Sequence, residues 1–218
     1  MGHRLKNNDL RCLEPTIIER WTRTEIWDDD NEATSWQIAV SIYPALDDDP
    51  GDIPAVEIFW MDGVTFETVG TESLDTAIDS FSSEMVPYRV LTDGCGDLRE
   101  EFDCQPIGQL VIIRKVRLDP DWRHRGGVGR YLAAVSLRTL LPGATCVALV
   151  PAPYELRERQ GVGQFSDSCW NEGVAALRRL WSEIGFRSVP NSEIMVLDPT
   201  SMILEAAIAH LRNTIRME

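Results

Sequence analysis

The chain of 218 residues lacks several features that would assign a protein to a class at once. It has no run of 18 apolar residues, so we expect no membrane-spanning helix. The first residues are polar and have no apolar core, which argues against a secretory signal. There is no internal repeat and no low-complexity tract. These absences predict a single domain over residues 1–218, with residues 1–15 as a flexible N-terminus.

Cysteine is also scarce. Five cysteines lie far apart, without the paired spacing of a metal site: Cys12, Cys95, Cys104, Cys146 and Cys169. An odd number in a chain without a signal sequence is typical of a reducing compartment, so we expect a cytoplasmic protein without a bound metal.

Positive charge is in deficit, with 21 Lys and Arg against 35 Asp and Glu and a net charge of −14. Binding to nucleic acid usually needs a broad basic face, so we expect no nucleic-acid partner. The deficit is uneven, because residues 111–138 contain seven basic and two acidic side chains, a net of +5 that leaves −19 for the rest. A basic island in an acidic chain favours the binding of one anion.

The island contains a predicted strand over 108–118, a turn, and a predicted helix over 128–140. A helix start offers unpaired backbone N–H groups and partial positive charge. Glycines let a phosphate approach these donors, and arginines add full charge. Six residues supply the two properties: Gly126, Gly127, Gly129, Arg123, Arg125 and Arg130. The pattern predicts a diphosphate cradle.

Two common phosphate loops do not fit this turn. A nucleoside triphosphate loop needs Lys and Ser or Thr after its last glycine, whereas Arg130 and Tyr131 follow Gly129. A dinucleotide fingerprint needs a third spaced glycine and an acidic residue after the next strand, whereas that strand ends at Pro151.

The remaining elements are predicted from periodicity and from turn residues. Strands are predicted at 16–27, 35–43 and 55–61, with a turn at Asp62 and Gly63 and a hairpin partner at 64–68. A helix at 73–85 and a loop at 91–106 precede the central strand. A strand at 144–150, a loop at 155–168, a helix at 171–184, a hairpin of 186–189 and 193–197, and a helix at 202–215 complete the chain. This order predicts an α/β or α+β fold with a mixed sheet.

Over residues 108–197 the sequence resembles the GNAT superfamily of N-acetyltransferases, in a form similar to uncharacterised bacterial members. The segment Val116-Arg-Leu-Asp-Pro-Asp-Trp-Arg-His-Arg-Gly-Gly-Val-Gly-Arg130 resembles its acyl-coenzyme A loop. The segment Leu180-Trp-Ser-Glu-Ile-Gly-Phe186 resembles its second signature, a helix that ends in Gly-Phe. The resemblance implies a twisted, mostly antiparallel mixed sheet with a splayed central strand pair and flanking helices, followed by an extra C-terminal helix within 199–218.

The resemblance also implies acetyl-coenzyme A as the cofactor and acetyl transfer to an amine acceptor. Main-chain groups of Val116 and Leu118 would hold the pantetheine arm. The residues implied to bind the cofactor are Val116, Leu118, Arg123, His124, Arg125, Gly126, Gly127, Val128, Gly129 and Arg130. His124 stands where Arg or Gln is usual. Trp181 stands where many relatives have a tyrosine that protonates the departing thiolate.

Attack by an amine requires a group that accepts its proton. Glu57 and Asp62 are predicted near the third strand, which borders the acceptor site in this fold. Tyr154 and Glu155 follow the strand that ends at Val150. From these positions we predict catalytic roles for Glu57, Tyr154 and Glu155, with Asp62 as a further candidate base.

The acidic body of the chain favours a small cationic amine as the acceptor. Two alternatives stay open: a protein or peptide amine bound in an open groove, and a non-catalytic module that binds acyl-coenzyme A. The predicted C-terminal helix has one apolar face, which either caps the core or packs against a second copy in a homodimer.

Overall fold

The computed structural model describes residues 16–22, 33–42, 56–69, 73–102, 108–154 and 166–217. Their centre is a seven-stranded sheet in the order β1-β2-β3-β4-β5-β7-β6. The strands are β1 Thr16–Thr22, β2 Ala33–Ile42, β3 Val56–Glu67, β4 Gln109–Leu118, β5 Ala144–Leu149, β6 Arg187–Ser188 and β7 Met195–Leu197. Among the described strands only β4 and β5 pair in parallel, so the predicted mixed and mostly antiparallel sheet is confirmed.

Helices cover both faces of this sheet. They are α1 Leu74–Phe81, a 3₁₀ segment Ser83–Leu91, a short 3₁₀ turn Pro120–Trp122, α2 Val128–Leu140, α3 Asp167–Glu183 and α4 Ile203–Met217. Helices α2, α3 and α4 share one buried cluster with the sheet, while α1 and the 3₁₀ segment 83–91 share another on the opposite face. In the part of the chain that is described, no helix has the length and apolar character needed to cross a membrane.

Strand β3 corrects one prediction, because the turn at Asp62 and Gly63 and the hairpin after it do not form. The strand runs unbroken between β2 and β4. A Cβ at Gly63 would lie 2.1 Å from the Ile112 carbonyl oxygen and 2.3 Å from a ring carbon of Trp36. The glycine therefore permits close packing inside a strand rather than a reversal of the chain.

The boundaries of three helices, α1, α3 and α4, differ from the predicted ones, whereas α2 spans its predicted residues. Helix α3 starts at Asp167 because the Ser166 hydroxyl caps it, accepting a hydrogen bond from the Cys169 N–H at 3.3 Å. The predicted loop 155–168 is therefore wrong at its last two residues, and 155–165 lie outside the described residues. The predicted helix 73–85 ends at Phe81 and continues as the 3₁₀ segment.

The C-terminal helix resolves one open alternative. Its apolar residues Leu204, Ile208, Leu211 and Ile215 are buried in the cluster that α2 shares with the sheet. This face of α4 therefore caps the core of its own chain.

Candidate functional site

The site begins where β4 and β5 stop pairing. Their parallel ladder ends at the pair Ile113 and Leu149. Arg114 is an extra residue in β4, because Asp62 pairs with Lys115 while Gly63 pairs with Ile113. Such a bulge bends its strand away from regular pairing. On the other side, Pro151 follows β5 and has no N–H to continue a ladder.

A cavity of about 620 Å³ lies in the opening between the two strands. Its lining includes nine of the ten residues predicted to bind a cofactor, the exception being Gly126. Helix α3 forms a further wall through Leu177, Leu180 and Trp181. The cavity is therefore a cleft with an apolar interior and with the glycine turn at its edge.

The glycine turn presents backbone donors to this cleft. Gly127 is the N-cap of α2, with a left-handed φ of 87° and no side-chain cap. Across the described ranges, the N–H groups of Gly127, Gly129 and Arg130 have no protein acceptor. His124 and Gly126 also have positive φ, at 57° and 44°. Turns of this kind make concave sites for anions.

Gly129 lets the helix start lie close to the end of β4. A Cβ at this position would be 2.9 Å from Cδ2 of Leu118. The free amides are thus held beside residues 114–118 of β4, the half of the strand that no longer pairs with β5 and is called the open half.

The arginines of the turn all contact the protein itself. Arg123 donates from Nε and Nη2 to the Leu118 carbonyl oxygen at 3.1 and 2.9 Å. The Arg125 guanidinium lies 5.2 Å from the centre of the Trp122 ring. Arg130 forms an ion pair with Glu183 of α3. The sequence predicted that these arginines add positive charge around the helix start, and the structure shows that each of them also contacts the protein at the edge of the cleft.

The predicted catalytic residues lie in different places. Tyr154 lines the cleft where the chain leaves β5. Glu57 is exposed at the start of β3, opposite Ser41, and does not contribute to the lining. Glu155 lies outside the described residues.

Asp62 reaches the cleft through Arg114, which is part of the lining. Oδ2 of Asp62 accepts a hydrogen bond from Nη2 of Arg114 at 2.9 Å, while Oδ1 is buried without a partner among the described residues. Burial raises the pKa of the Asp62 carboxyl, although the charges of Arg114 and Lys115 oppose the rise. The result is a carboxylate of increased basicity beside the bulge.

Sequence reasoning missed Tyr88, which lies in the 3₁₀ segment and reaches the root of the cleft. Its hydroxyl accepts a hydrogen bond from the Val150 N–H at 3.2 Å and donates to the Ile113 carbonyl oxygen at 3.5 Å. No motif or periodicity marks this tyrosine, because its role depends on two strands that are distant in sequence.

No protein-family model matches the chain, and a comparison with curated proteins found no match. Among solved structures, a chain in the crystal structure of a KacTA–DNA complex is 10% identical with a TM-score of 0.39, over 84% of this chain and 76% of that one. A crystal structure of a KacT mutant is 12% identical with a TM-score of 0.35, over 81% and 75% of the two chains. Function is therefore argued from the site itself.

The expectation that excluded nucleic acid is corrected by these comparisons. One of the similar chains was solved in a complex with DNA, and net charge alone does not decide whether a chain binds nucleic acid. Net charge averages over a surface, whereas phosphate contacts depend on local basic groups.

Proposed function

We propose that this protein is an acyl-coenzyme A-dependent N-acyltransferase that transfers an acetyl group to an amine. One observation carries the proposal: the unpaired amides at the start of α2 face the same cleft that opens between β4 and β5. A diphosphate needs converging N–H donors, and the arm attached to it needs a long apolar groove.

The diphosphate end of the ligand fits the glycine turn. The amides of Gly127, Gly129 and Arg130 are available as donors. A Cβ at Gly127 would lie 3.0 Å from Nη2 of Arg130, and a Cβ at Gly129 would lie 2.9 Å from Cδ2 of Leu118. Arg125 lies at the edge in a fixed position and adds positive charge.

The arm fits the open half of β4. Val116 and Leu118 line the cleft beyond the last pair with β5. We infer that main-chain groups of Val116 and the N–H of Leu118 would bond an extended ligand in the manner of an added strand, whereas the Leu118 carbonyl already accepts hydrogen bonds from Arg123.

Two side chains complete the proposed chemistry. Acetyl-coenzyme A supplies a thioester carbonyl, which the amine nitrogen attacks so that a C–N bond forms and the C–S bond breaks. We propose that Asp62, which lies behind Arg114 and outside the lining, accepts through a water the proton that the amine loses, since its raised pKa makes it a better base than an ordinary aspartate. Tyr154 donates a proton to the departing sulfur, a role that the buried indole of Trp181 is too weak an acid to fill.

We propose a small amine as the acceptor, and cationic amines are tested first because negative charge is in excess outside the basic island. Polyamines and amino sugars are the first compounds to test.

The proposal is tested by calorimetry with coenzyme A and acetyl-coenzyme A, followed by thiol release with a panel of small amines and peptides. We expect binding of both nucleotides and thiol release with at least one small amine. No binding of either nucleotide would overturn the proposal. Binding without thiol release on any amine would instead favour a non-catalytic module, which Trp181 in place of a tyrosine also favours.

A further inference from the structure

We propose that Tyr88 is a positioning residue whose hydroxyl acts as a wedge and keeps β4 and β5 apart at the root of the cleft. The contacts of the Tyr88 hydroxyl with Ile113 and Val150 support this role whatever the protein binds. Its consequence for the acyl donor rests on the proposed function.

The hydroxyl occupies the place of a missing ladder bond. In a parallel pair, a carbonyl on one strand commonly bonds the N–H that lies one residue beyond its partner. Ile113 and Leu149 are the last partners, so the carbonyl of Ile113 and the N–H of Val150 stand in this relation. Within the described residues these two groups bond the Tyr88 hydroxyl and not each other.

Only a group that both donates and accepts can satisfy the two strands at once, and a hydroxyl does so. Burial raises the pKa of Tyr88, with a further rise from the neighbouring Tyr154. The hydroxyl therefore keeps its proton and remains a donor towards Ile113 over the physiological pH range.

The ring is held firmly from the other face of the sheet. Tyr88 is 4% exposed and belongs to the cluster that α1 and the 3₁₀ segment share with the sheet. Arg89, the next residue, binds both carboxylate oxygens of Asp75 at 2.7 Å. This face therefore fixes the hydroxyl in position without taking part in the lining of the cleft.

Loss of the hydroxyl should let the ladder advance by one bond. The Val150 N–H would then bond the Ile113 carbonyl directly and narrow the cleft beside Tyr154. An arm between the strands would have to break that bond, so coenzyme A should bind more weakly.

The test compares Tyr88→Phe with Tyr131→Phe, which removes a hydroxyl from a half-buried position on α2. The first readout is the NMR scalar coupling across a hydrogen bond from the Val150 amide nitrogen to the Ile113 carbonyl carbon. The second is coenzyme A affinity by calorimetry. We expect the coupling only in Tyr88→Phe, with an affinity loss of about tenfold, the scale of one buried hydrogen bond.

Absence of the coupling in a folded Tyr88→Phe protein would overturn the wedge, and unchanged affinity would overturn its positioning role. If Tyr88→Phe does not fold, the wild-type protein is measured instead. A coupling between Val150 and Ile113 in the wild type would contradict the wedge. A Tyr88 hydroxyl proton close to the Val150 amide would support it. Wild-type protein that does not bind coenzyme A would refute the proposed function, while the coupling would still report on the wedge.

Discussion

The two halves of β4 differ both in burial and in strand pairing. In the closed half, residues 110–113 are all buried and pair with β3 on one side and β5 on the other. In the open half, residues 114–118 alternate between half-buried and exposed, and residues 115–118 pair only with β3. One strand thus contributes stability at one end and a cleft at the other, and Arg114 marks the change.

Each end also has a glycine with a left-handed backbone. Gly143 precedes β5 at the closed end with a φ of 85°, and its carbonyl accepts a hydrogen bond from the Gln109 N–H. Gly127 begins α2 at the open end with a φ of 87°. Because their backbones are alike, the two positions separate the effect of charge at the cradle from the cost of a side chain at positive φ.

We expect the largest effect from Gly127→Asp, which adds a carboxylate at the N-cap of α2, where we propose that the diphosphate binds. Two unit charges 4 Å apart near a protein surface repel by about 4 kcal/mol, roughly a thousandfold in affinity. Calorimetry with coenzyme A measures the loss, and thermal unfolding checks that the protein remains folded.

The control for this variant is Gly143→Asp, which adds the same side chain with no atom within 4 Å of its Cβ. It should destabilise the protein slightly and bind coenzyme A as the wild type does. Gly127→Ala adds the strain without the charge and should lose far less affinity. Equal losses in Gly127→Asp and Gly143→Asp would show that the turn does not hold an anion.

In the closed half, Ile112→Ala should reduce the free energy of unfolding by roughly 3 kcal/mol, because it leaves a cavity at a fully buried position. Urea unfolding measures the loss. Val116→Ala in the open half is the comparison, and its smaller effect follows from partial burial. Equal destabilisation by the two variants would contradict the claim that the closed half contributes more to stability than the open half.

How much of this contrast is visible in sequence depends on how local its causes are. The span of α2 and its glycine turn are predictable, since Gly127 and Gly129 act within a few residues of their own position. The unbroken β3 is not, because Gly63 is required by Trp36, which lies 27 positions earlier in the sequence. Tyr88 escapes notice for the same reason.

Asp62→Asn tests the proton acceptor beside the bulge, where the closed half ends. We expect kcat/KM for the best amine to fall by about a hundredfold, the lower range for loss of a general base. Activity of the wild type should increase as pH rises through the raised pKa of Asp62, and this acidic limb should disappear in the variant.

The control is Glu67→Gln, at an exposed position of β3 that pairs with Gln109 in the closed half. It should retain both the activity and the acidic limb. The pH dependence of stability at Asp62 is opposite to that of activity. Between the ordinary pKa of an aspartate and the raised pKa of Asp62, the folded state binds more protons than the unfolded chain. Stability therefore decreases as pH rises through that window. An acidic limb that persists in Asp62→Asn would assign the base elsewhere.

The smallest effect concerns Asp75, which anchors the segment that carries Tyr88. A hydrogen bond from Arg89 lowers the pKa of Asp75, with Thr92 as a second donor. A carboxyl with a lowered folded pKa stabilises the protein above the ordinary aspartate value, and the contribution is lost as pH falls below about 4. Asp75→Asn should therefore destabilise the protein slightly at neutral pH and hardly at all at pH 3. Asp79→Asn is the matched control, because Asp79 lies 3.7 Å from Arg89 and is more exposed.

If the anchor holds Tyr88 in place, Asp75→Asn should also weaken coenzyme A binding, though less than Tyr88→Phe does. If the two variants bind coenzyme A with equal affinity, the ion pair between Arg89 and Asp75 does not hold Tyr88 in place.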